Sequence, residues 1–213
     1  MTDDDASVSL ALALHGVRIL GFANSDAVAR RWGLSSDAVD EALGDAEACG
    51  WVTFASFAGL SGWSLTDRGR RENERRLTEE LARVDGEHRL KRVYSDFLPV
   101  NATLLTACTN WQLRPASDGR LASNDHTDLE WDARVLRELG EIEHELASIS
   151  ENLESILSRF GGYDVRYAAA LRRARRGEHE WVDGTAVDSC HRVWFELHED
   201  LIATLGIDRN VES

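Results

Sequence analysis

The rarity of proline is the feature that most constrains this chain. Pro99 and Pro115 are its only prolines in 213 residues, so almost the whole sequence lacks the residue that most strongly interrupts a helix. In several long stretches the apolar residues recur three or four positions apart, which is the spacing of the buried face of a helix. Together these observations predict a mainly α protein with long helices.

The overall composition indicates a globular chain without a membrane span. Hydrophobic residues make up 43% and charged residues 29% of the chain, a balance that excludes an intrinsically disordered protein. No apolar run reaches the ~20 residues that a membrane-spanning helix requires, and the acidic start is unlike a signal peptide. Cys49, Cys108 and Cys190 lack the spacing of a metal site and are expected to be reduced, mostly buried thiols. We therefore expect a cytoplasmic protein that has no membrane partner.

Charge is distributed unevenly along the chain. The 38 acidic and 24 basic residues give a net charge of −14, which is unfavourable for a protein that binds nucleic acid. Residues 51–92 form the one stretch with a positive balance, since 9 basic and 7 acidic residues there give +2. A nucleic-acid-binding function must therefore be reconciled with an acidic chain.

The first third of the sequence predicts three helices, a β hairpin and a fourth helix. Ser25, Ser35 or Ser36, and Thr66 are the candidate N-caps, while glycines after the first three helices are typical end signals. The expected elements are helices over 8–20 and 25–32, a third helix that begins at 35 or 36, strands at 51–54 and 62–65 joined by a turn at 58–60, and a helix after residue 66.

Three segments of this region resemble the winged helix-turn-helix domain of MarR-like transcriptional regulators. They are AVARRWGL (27–34), SSDAVDEALGDAEACGWV (35–52) and SLTDRGRRE (64–72), of which the last is similar to the family's Leu-Thr-x-x-Gly-Arg step after the wing. The resemblance covers about the first 75 residues at the level of motifs. It implies a winged helix-turn-helix domain over 1–90, whose third helix enters the DNA major groove. It also implies a dimer formed through the terminal helices.

The remaining residues, 91–213, predict an all-α domain for dimerisation and for binding a possible effector. Helices are expected over 90–113 with a break or bend at Pro99, and over 128–160, 163–176 and 187–205. The second of these carries an apolar seam with heptad-like spacing, formed by Leu129, Leu136, Leu139, Ile142, Leu146, Ile149, Leu153, Ile156 and Phe160. Because this seam and the apolar faces of the first and last helices exceed what one chain would cover, we predict a homodimer.

The predicted recognition helix is acidic on its outward face. Carboxylates at these positions weaken binding to phosphates, and the wing, residues 54–63, carries no charge. The outward residues of the helix are Ser36, Asp37, Asp40, Glu41, Gly44 and Glu47. The candidate DNA-binding residues are Arg30, Arg31, Ser35, Ser36, Arg68, Arg70 and Arg71. As an alternative, the arginines over 68–76 form helical ion pairs with Glu72, Glu74 and Glu79.

Tryptophan is concentrated in the second half of the chain, where it suggests a small-molecule pocket. The candidate ligand-binding residues are Trp111, His191, Trp194 and Phe195, since aromatic walls with a few polar groups suit a small aromatic or acyl effector. The alternative is a packed core in which the indole N–H groups find hydrogen-bond partners.

No cofactor, metal or catalytic residue is expected from the motifs. Glu141 with His144, and His191 with His198, have spacings that a metal site can use, but the spacings alone do not specify one. The sequence has no Gly-rich phosphate loop, no Gly-x-Ser-x-Gly and no Cys-x-x-Cys. We therefore do not expect an enzyme, and a helical metalloenzyme built on those pairs is a third hypothesis.

These features favour a cytoplasmic, dimeric winged-helix protein that binds DNA and regulates transcription. An effector bound by the second half would favour one of two dimer geometries and so change the affinity for DNA. The alternative is a winged-helix protein that does not bind DNA and acts as a protein-interaction or small-molecule-binding module.

Overall fold

The computed structural model describes residues 3–57, 59–115 and 120–207, with the burial of side chains described from Ser9 onward. The fold is mainly α with a small antiparallel hairpin, as the sequence predicts. The chain divides into two compact units. The first unit contains the chain up to Asp85 together with the chain from Glu199 onward, and the second unit is Gly86–His198. The last helix therefore contributes to both units. The predicted division into 1–90 and 91–213 assigns that helix to the second domain alone.

The first unit has the predicted order of three helices, a hairpin and a further helix. Its elements are α1 (Asp3–Leu20), α2 (Ser25–Trp32), α3 (Ser36–Ala48), β1 (Val52–Phe57), β2 (Leu60–Leu65) and α4 (Asp67–Arg83). Helices α1, α2 and α3 share one hydrophobic core, in which Leu14, Val28 and Leu43 are fully buried. Ala58, in the predicted turn of the hairpin, lies outside the described residues.

Side-chain caps set the starts of α2 and α3. The hydroxyl of Ser35 accepts a hydrogen bond from the N–H of Ala38, which confirms Ser35 as the N-cap of α3. The predicted cap of α2 is wrong by one residue. Asn24 rather than Ser25 caps that helix, because the Asn24 side-chain oxygen accepts from the N–H of Ala27. Asparagine provides the same kind of acceptor as serine, so the helix still begins at the expected residue.

The passage from β2 into α4 depends on Thr66 and Gly69. Thr66 caps α4 by accepting a hydrogen bond from the N–H of Gly69, and its hydroxyl lies within donating distance of the carbonyl oxygens of Gly50 and Trp51. A Cβ added to Gly69 would lie 1.8 Å from the carbonyl oxygen of Trp51. The Leu-Thr-x-x-Gly motif is therefore a close backbone contact that only glycine allows.

The second unit contains helices and a second, short hairpin. Its elements are α5 (Glu87–Gln112), β3 (Leu113–Pro115), β4 (Leu121–Ser123), α6 (Leu129–Glu154), a 3-10 turn (Ser158–Phe160), α7 (Tyr163–Ala174), α8 (Glu180–Asp183) and the first part of α9 (Cys190–Leu205). The β3–β4 hairpin corrects the expectation that this half is all α. Strands of three residues are too short to show an alternating pattern, so the sequence does not reveal them.

One helix boundary predicted in this unit is also corrected, and so is one of two alternatives at Pro99. Of the break or bend predicted at that proline, the break is wrong, because helix α5 continues through it. Phe97 and Leu104 are fully buried on either side of the proline, so packing outweighs the backbone hydrogen bond that proline removes. The long helix expected over 128–160 ends at Glu154, and a 3-10 turn follows.

Most of the apolar seam is buried inside the chain. On α6, Leu139, Ile142, Leu146 and Leu153 are buried, and the helix packs against α5 and α7. Leu129, at the start of the seam, is exposed. The predicted homodimer rests partly on an apolar face of this helix that one chain would leave uncovered. Because α5 and α7 cover most of that face, the seam no longer supports the homodimer, which stays a prediction.

The cysteines are free thiols with two different environments. Cys108 and Cys190 are buried, whereas Cys49 is exposed. Burial raises the pKa of the Cys108 thiol to about 12 and also raises the pKa of Cys190, so neither forms a thiolate at neutral pH. In the part of the chain that the structure describes, every helix is too short or too polar to cross a bilayer.

Candidate functional site

The outward face of α3 presents carboxylates to solvent. The exposed acidic residues of this helix are Asp37, Asp40, Glu41, Asp45 and Glu47, and its sequence contains no arginine or lysine. Both candidate serines are engaged within the protein, since Ser35 caps α3 and the hydroxyl of Ser36 donates to the carboxylate of Asp26. The helix expected to enter the major groove therefore carries negative charge on the side that would face phosphates.

Four of the five candidate arginines are exposed. Among the residues that the structure describes, no carboxylate forms an ion pair with Arg30, Arg68, Arg70 or Arg71. The fifth, Arg31, is half-buried and lies over the indole of Trp32, with its guanidinium carbon 4.3 Å from the ring centre. The start of α4 thus presents three exposed cationic side chains that form no ion pair among the described residues.

The arginines further along α4 are neutralised by neighbouring carboxylates. Arg75 forms ion pairs with Glu72 and Glu79, and Arg76 forms one with Glu72. Hydrogen bonds from Arg75 and Arg76 lower the pKa of Glu72 to about 2. The ion-pair alternative therefore applies to α4 from Glu72 onward, whereas the first turns of the same helix keep free positive charge.

The β1–β2 hairpin exposes an apolar tip. Phe57 and Leu60 are cross-strand partners, and their side chains are 83% and 68% exposed. Phe54 is 48% exposed and packs edge-on against Trp63, with ring centres 5.0 Å apart. An uncharged tip with large exposed side chains is typical of an interaction surface.

The four candidate ligand-binding residues have separate environments. Trp194 stacks on Phe97 with ring centres 4.9 Å apart and donates from Nε1 to the side chain of Asn101, which is the packed-core alternative. Phe195 is exposed and His191 is half-buried.

A surface groove of about 680 Å³ lies at the start of α6 and is lined by Asp128, Leu129, Glu130, Trp131, Ala133, Arg134 and Arg137. None of the four predicted residues lines that groove.

A cluster that no sequence motif reveals also lies near the start of α6. Ring nitrogens of His126 and His179 and a carboxylate oxygen of Asp132 all lie within 4.8 Å of one another. His126 is in the loop before α6, Asp132 is in the first turns of that helix, and His179 immediately precedes α8. We call these three residues the His–Asp–His cluster.

Asn124 orients the His–Asp–His cluster. Its side-chain nitrogen donates to Oδ1 of Asp132 over 2.8 Å and to the carbonyl oxygen of Trp111 over 3.0 Å, and it lies 3.2 Å from Nδ1 of His126. Its side-chain oxygen accepts from the N–H of His126 over 3.2 Å. This turn gives His126 a φ of 58°, which is uncommon for a residue other than glycine. The imidazole is held so that Nδ1 lies 3.0 Å from Oδ2 of Asp132.

Trp111 forms an apolar wall beside both imidazoles. Its ring centre lies 4.6 Å from that of His126 and 5.5 Å from that of His179, and the two imidazole centres are 4.2 Å apart. The sequence suggests Trp111 as a ligand-binding residue, but it does not suggest these structural neighbours. Asp132 and His179 are 47 positions apart in the sequence, and no short-range spacing rule connects them.

The histidine pairs with metal-like spacing in the sequence are not grouped with other ligands in this way. Within 3–57, 59–115 and 120–207, the His–Asp–His cluster is the one group of three or more such residues that satisfies the same distance criterion. Glu141 and His144 are exposed on α6. The ring of His198 packs against Tyr94 and Phe97.

Comparisons with known proteins do not assign the chain to a family. No family model, no curated protein and no solved structure matches it. Its function must therefore be inferred from its own residues.

Proposed function

We propose that the protein binds duplex DNA through arginines of its first unit and regulates transcription. The observation that carries this proposal is the absence of carboxylate partners for Arg30, Arg68, Arg70 and Arg71 among the described residues. Exposed, uncompensated guanidinium groups neutralise phosphates and release counterions, which is the main source of affinity for duplex DNA. The order of elements in the first unit and the resemblance to MarR-like regulators support the same function.

In the proposed DNA complex, arginines outside α3 supply most of the affinity, and α3 does not. The carboxylates on α3 repel phosphates, although an acidic side chain can accept a hydrogen bond from the amino group of cytosine. Arginines that bind phosphates position a protein on DNA but carry little sequence information. The exposed Phe57 at the hairpin tip suits the minor groove, where apolar side chains insert between base steps. We therefore expect binding that is strongly salt-dependent and weakly selective for sequence.

Two triple variants of α4 test the proposal. Replacing Arg68, Arg70 and Arg71 with alanine is expected to weaken binding to all duplexes, and to reduce the slope of log affinity against log salt by roughly 0.9 for each phosphate that is no longer neutralised. The matched control replaces Arg75, Arg76 and Arg83, which changes the net charge equally but removes arginines that already bind acidic side chains or a backbone carbonyl. An unchanged slope in the first variant would refute the proposal. Equal effects in both variants would mean that DNA binding depends only on the net charge of the protein and not on the arginines at the start of α4.

A second candidate function is the docking of a basic protein partner on α3. The observation that favours it is the concentration of exposed carboxylates on a helix that has no basic residue. The double variant Asp40→Asn with Glu41→Gln separates the two functions. It is expected to strengthen DNA binding by removing repulsion, whereas it would weaken binding to a basic partner.

For the regulatory part of the proposal, we propose a cytoplasmic homodimer whose second unit senses an effector. The support is the resemblance to a dimeric family and the large share of the chain that follows α4. Sedimentation equilibrium at micromolar concentration is expected to show a dimer. A monomer under those conditions would exclude a mechanism based on dimer geometry.

A further inference from the structure

We propose that His126, Asp132 and His179 bind one divalent transition-metal ion in the second unit. Two imidazoles and one carboxylate form a donor set that suits Zn²⁺, Fe²⁺, Co²⁺ or Ni²⁺. Nothing in this inference depends on DNA binding, because the three donors belong to the second unit.

The donor atoms are already close to the separations that a shared ion imposes. Ligand atoms that each lie about 2.1 Å from one metal are about 3–3.4 Å from one another. In the cluster, His126 Nδ1 and Asp132 Oδ2 are 3.0 Å apart, and the largest separation among the three donors is within 4.8 Å. The gap that remains to be closed between the donor atoms is at most about 1.8 Å.

The charge of Asp132 supplies a second argument. Its side chain is buried, and among the described residues no arginine or lysine forms an ion pair with it. Its side-chain partners are the amide of Asn124 and the ring of His126. A buried carboxylate whose only potentially cationic neighbour is an imidazole is costly while that imidazole is neutral, and a bound divalent cation would supply positive charge there.

The surroundings hold the ligands in position, as a metal site requires. Asn124 donates to Oδ1 of Asp132, which leaves Oδ2 directed at His126. Hydrogen-bonded carboxylate ligands of this kind are a recurrent second layer of metal sites. The side chain of His179 makes no hydrogen bond in the described part of the chain, so both of its ring nitrogens are available, and Trp111 shields one side of the cluster.

A site with three protein ligands leaves coordination positions open. Structural zinc sites use four protein ligands, whereas sites with three accept water or another small ligand at the remaining positions. The metal bound here would therefore carry exchangeable ligands. It would also connect the loop before α6 to the turn before α8, and so stabilise the second unit.

The test uses the whole 213-residue chain, from which a chelator has removed any metal. The chain carries Cys49→Ser, which removes the exposed thiol as a competing ligand. We expect one Co²⁺ or Zn²⁺ per chain in competition with a chromophoric chelator, and Co²⁺ absorption bands that report nitrogen and oxygen ligands. Zn²⁺ should raise the unfolding temperature, because it binds the folded state. Co²⁺ should quench tryptophan fluorescence, and the Trp111→Phe variant should show less of the quenching, because Trp111 lies beside both imidazoles.

The decisive variant is His179→Ala, with His144→Ala as the matched control. The side chain of His179 makes no hydrogen bond among the described residues, and its backbone bond to Val182 is kept in the variant, so the fold should stay intact, as circular dichroism can check. We expect a loss of Co²⁺ and Zn²⁺ affinity of at least about tenfold for His179→Ala and no loss for His144→Ala, which changes an exposed histidine of α6. Equal affinities in the two variants, or no stoichiometric binding to the parent protein below about 10 μM metal (about −7 kcal/mol), would overturn the proposal.

Discussion

The arginines at the start of α4 and the His–Asp–His cluster differ in the way that they are assembled. Arg68, Arg70 and Arg71 are neighbours in the sequence and are exposed, so any phosphate binding by them would act through a field that salt screens. The cluster joins residues up to 53 positions apart around a buried carboxylate, and metal binding there would depend on short distances that salt hardly affects. A surface of charges is therefore expected to lose function gradually when residues are replaced, whereas a coordination site would lose it with one ligand.

The largest effect on stability is expected from Gly69→Ala, which disturbs the turn that positions the α4 arginines. The new Cβ would clash with the Trp51 carbonyl oxygen, so the backbone must move at a cost of about 3 kcal/mol. Urea unfolding measures this loss, and hydrogen exchange should place it in the first unit. The control is Gly44→Ala, where a Cβ meets nothing within 4 Å and alanine should stabilise α3 by about 0.5–1 kcal/mol. Similar stabilities for the two variants would contradict the close approach of Gly69 to Trp51.

The second largest effect on stability is expected in the His–Asp–His cluster, from Asp132→Ala. The change removes the acceptor of Asn124 and the partner of His126, and it leaves polar groups unsatisfied at a cost of about 1–3 kcal/mol. Urea unfolding in the presence of a chelator separates this cost from any effect of metal. The control is Glu145→Ala, which removes an exposed carboxylate of α6 that has no hydrogen bond or ion pair among the described residues. A loss for Asp132→Ala no larger than that for Glu145→Ala would show that the buried network contributes little.

The third effect is a dependence of stability on pH that originates in the paired part of α4. The guanidinium groups of Arg75 and Arg76 lower the pKa of Glu72 from 4.5 to about 2. The resulting stability is therefore fully present above pH 4.5 and is lost as the pH falls towards 2. Because Arg75 is half-exposed, we expect only about 1 kcal/mol.

Unfolding by urea at pH 6, 4 and 3 tests this dependence in Glu72→Gln. The variant should lose less stability than the parent protein between pH 4.5 and 3. Glu47→Gln is the control, since Glu47 is exposed on α3 and has no ion-pair partner in the described residues. If the parent protein and Glu72→Gln show parallel pH profiles, the ion pairs of Glu72 do not contribute to stability.

The smallest effect on stability is expected at the hairpin tip. Phe57→Ser removes a side chain that is largely exposed, so the free energy of unfolding should change by no more than about 0.5 kcal/mol. Binding of a hydrophobic dye to the folded protein should decrease. Val52→Ala, at the buried end of the same strand, is the control and should cost about 1–2 kcal/mol. A comparable cost for Phe57→Ser would mean that the tip is packed within the protein rather than available to a partner.

Local features of the first unit are the ones that the sequence predicts well. The caps at Ser35 and Thr66 and the acidic outward face of α3 follow from interactions within about four residues along a helix. The predicted cap of α2 is wrong because Asn24 and Ser25 are both good capping residues and only the backbone geometry separates them. The β3–β4 hairpin and α8 are too short for a periodic pattern to appear.

The sequence by itself determined the helical class, the uncharged hairpin and the placement of positive charge in 51–92, because composition and periodicity act locally along the chain. Only the tertiary structure decided that the apolar seam is covered by α5 and α7, and that Trp111 lies beside His126 and His179. These outcomes depend on contacts between residues far apart in sequence. Such contacts are set by the path of the whole chain, and no spacing along the sequence encodes that path.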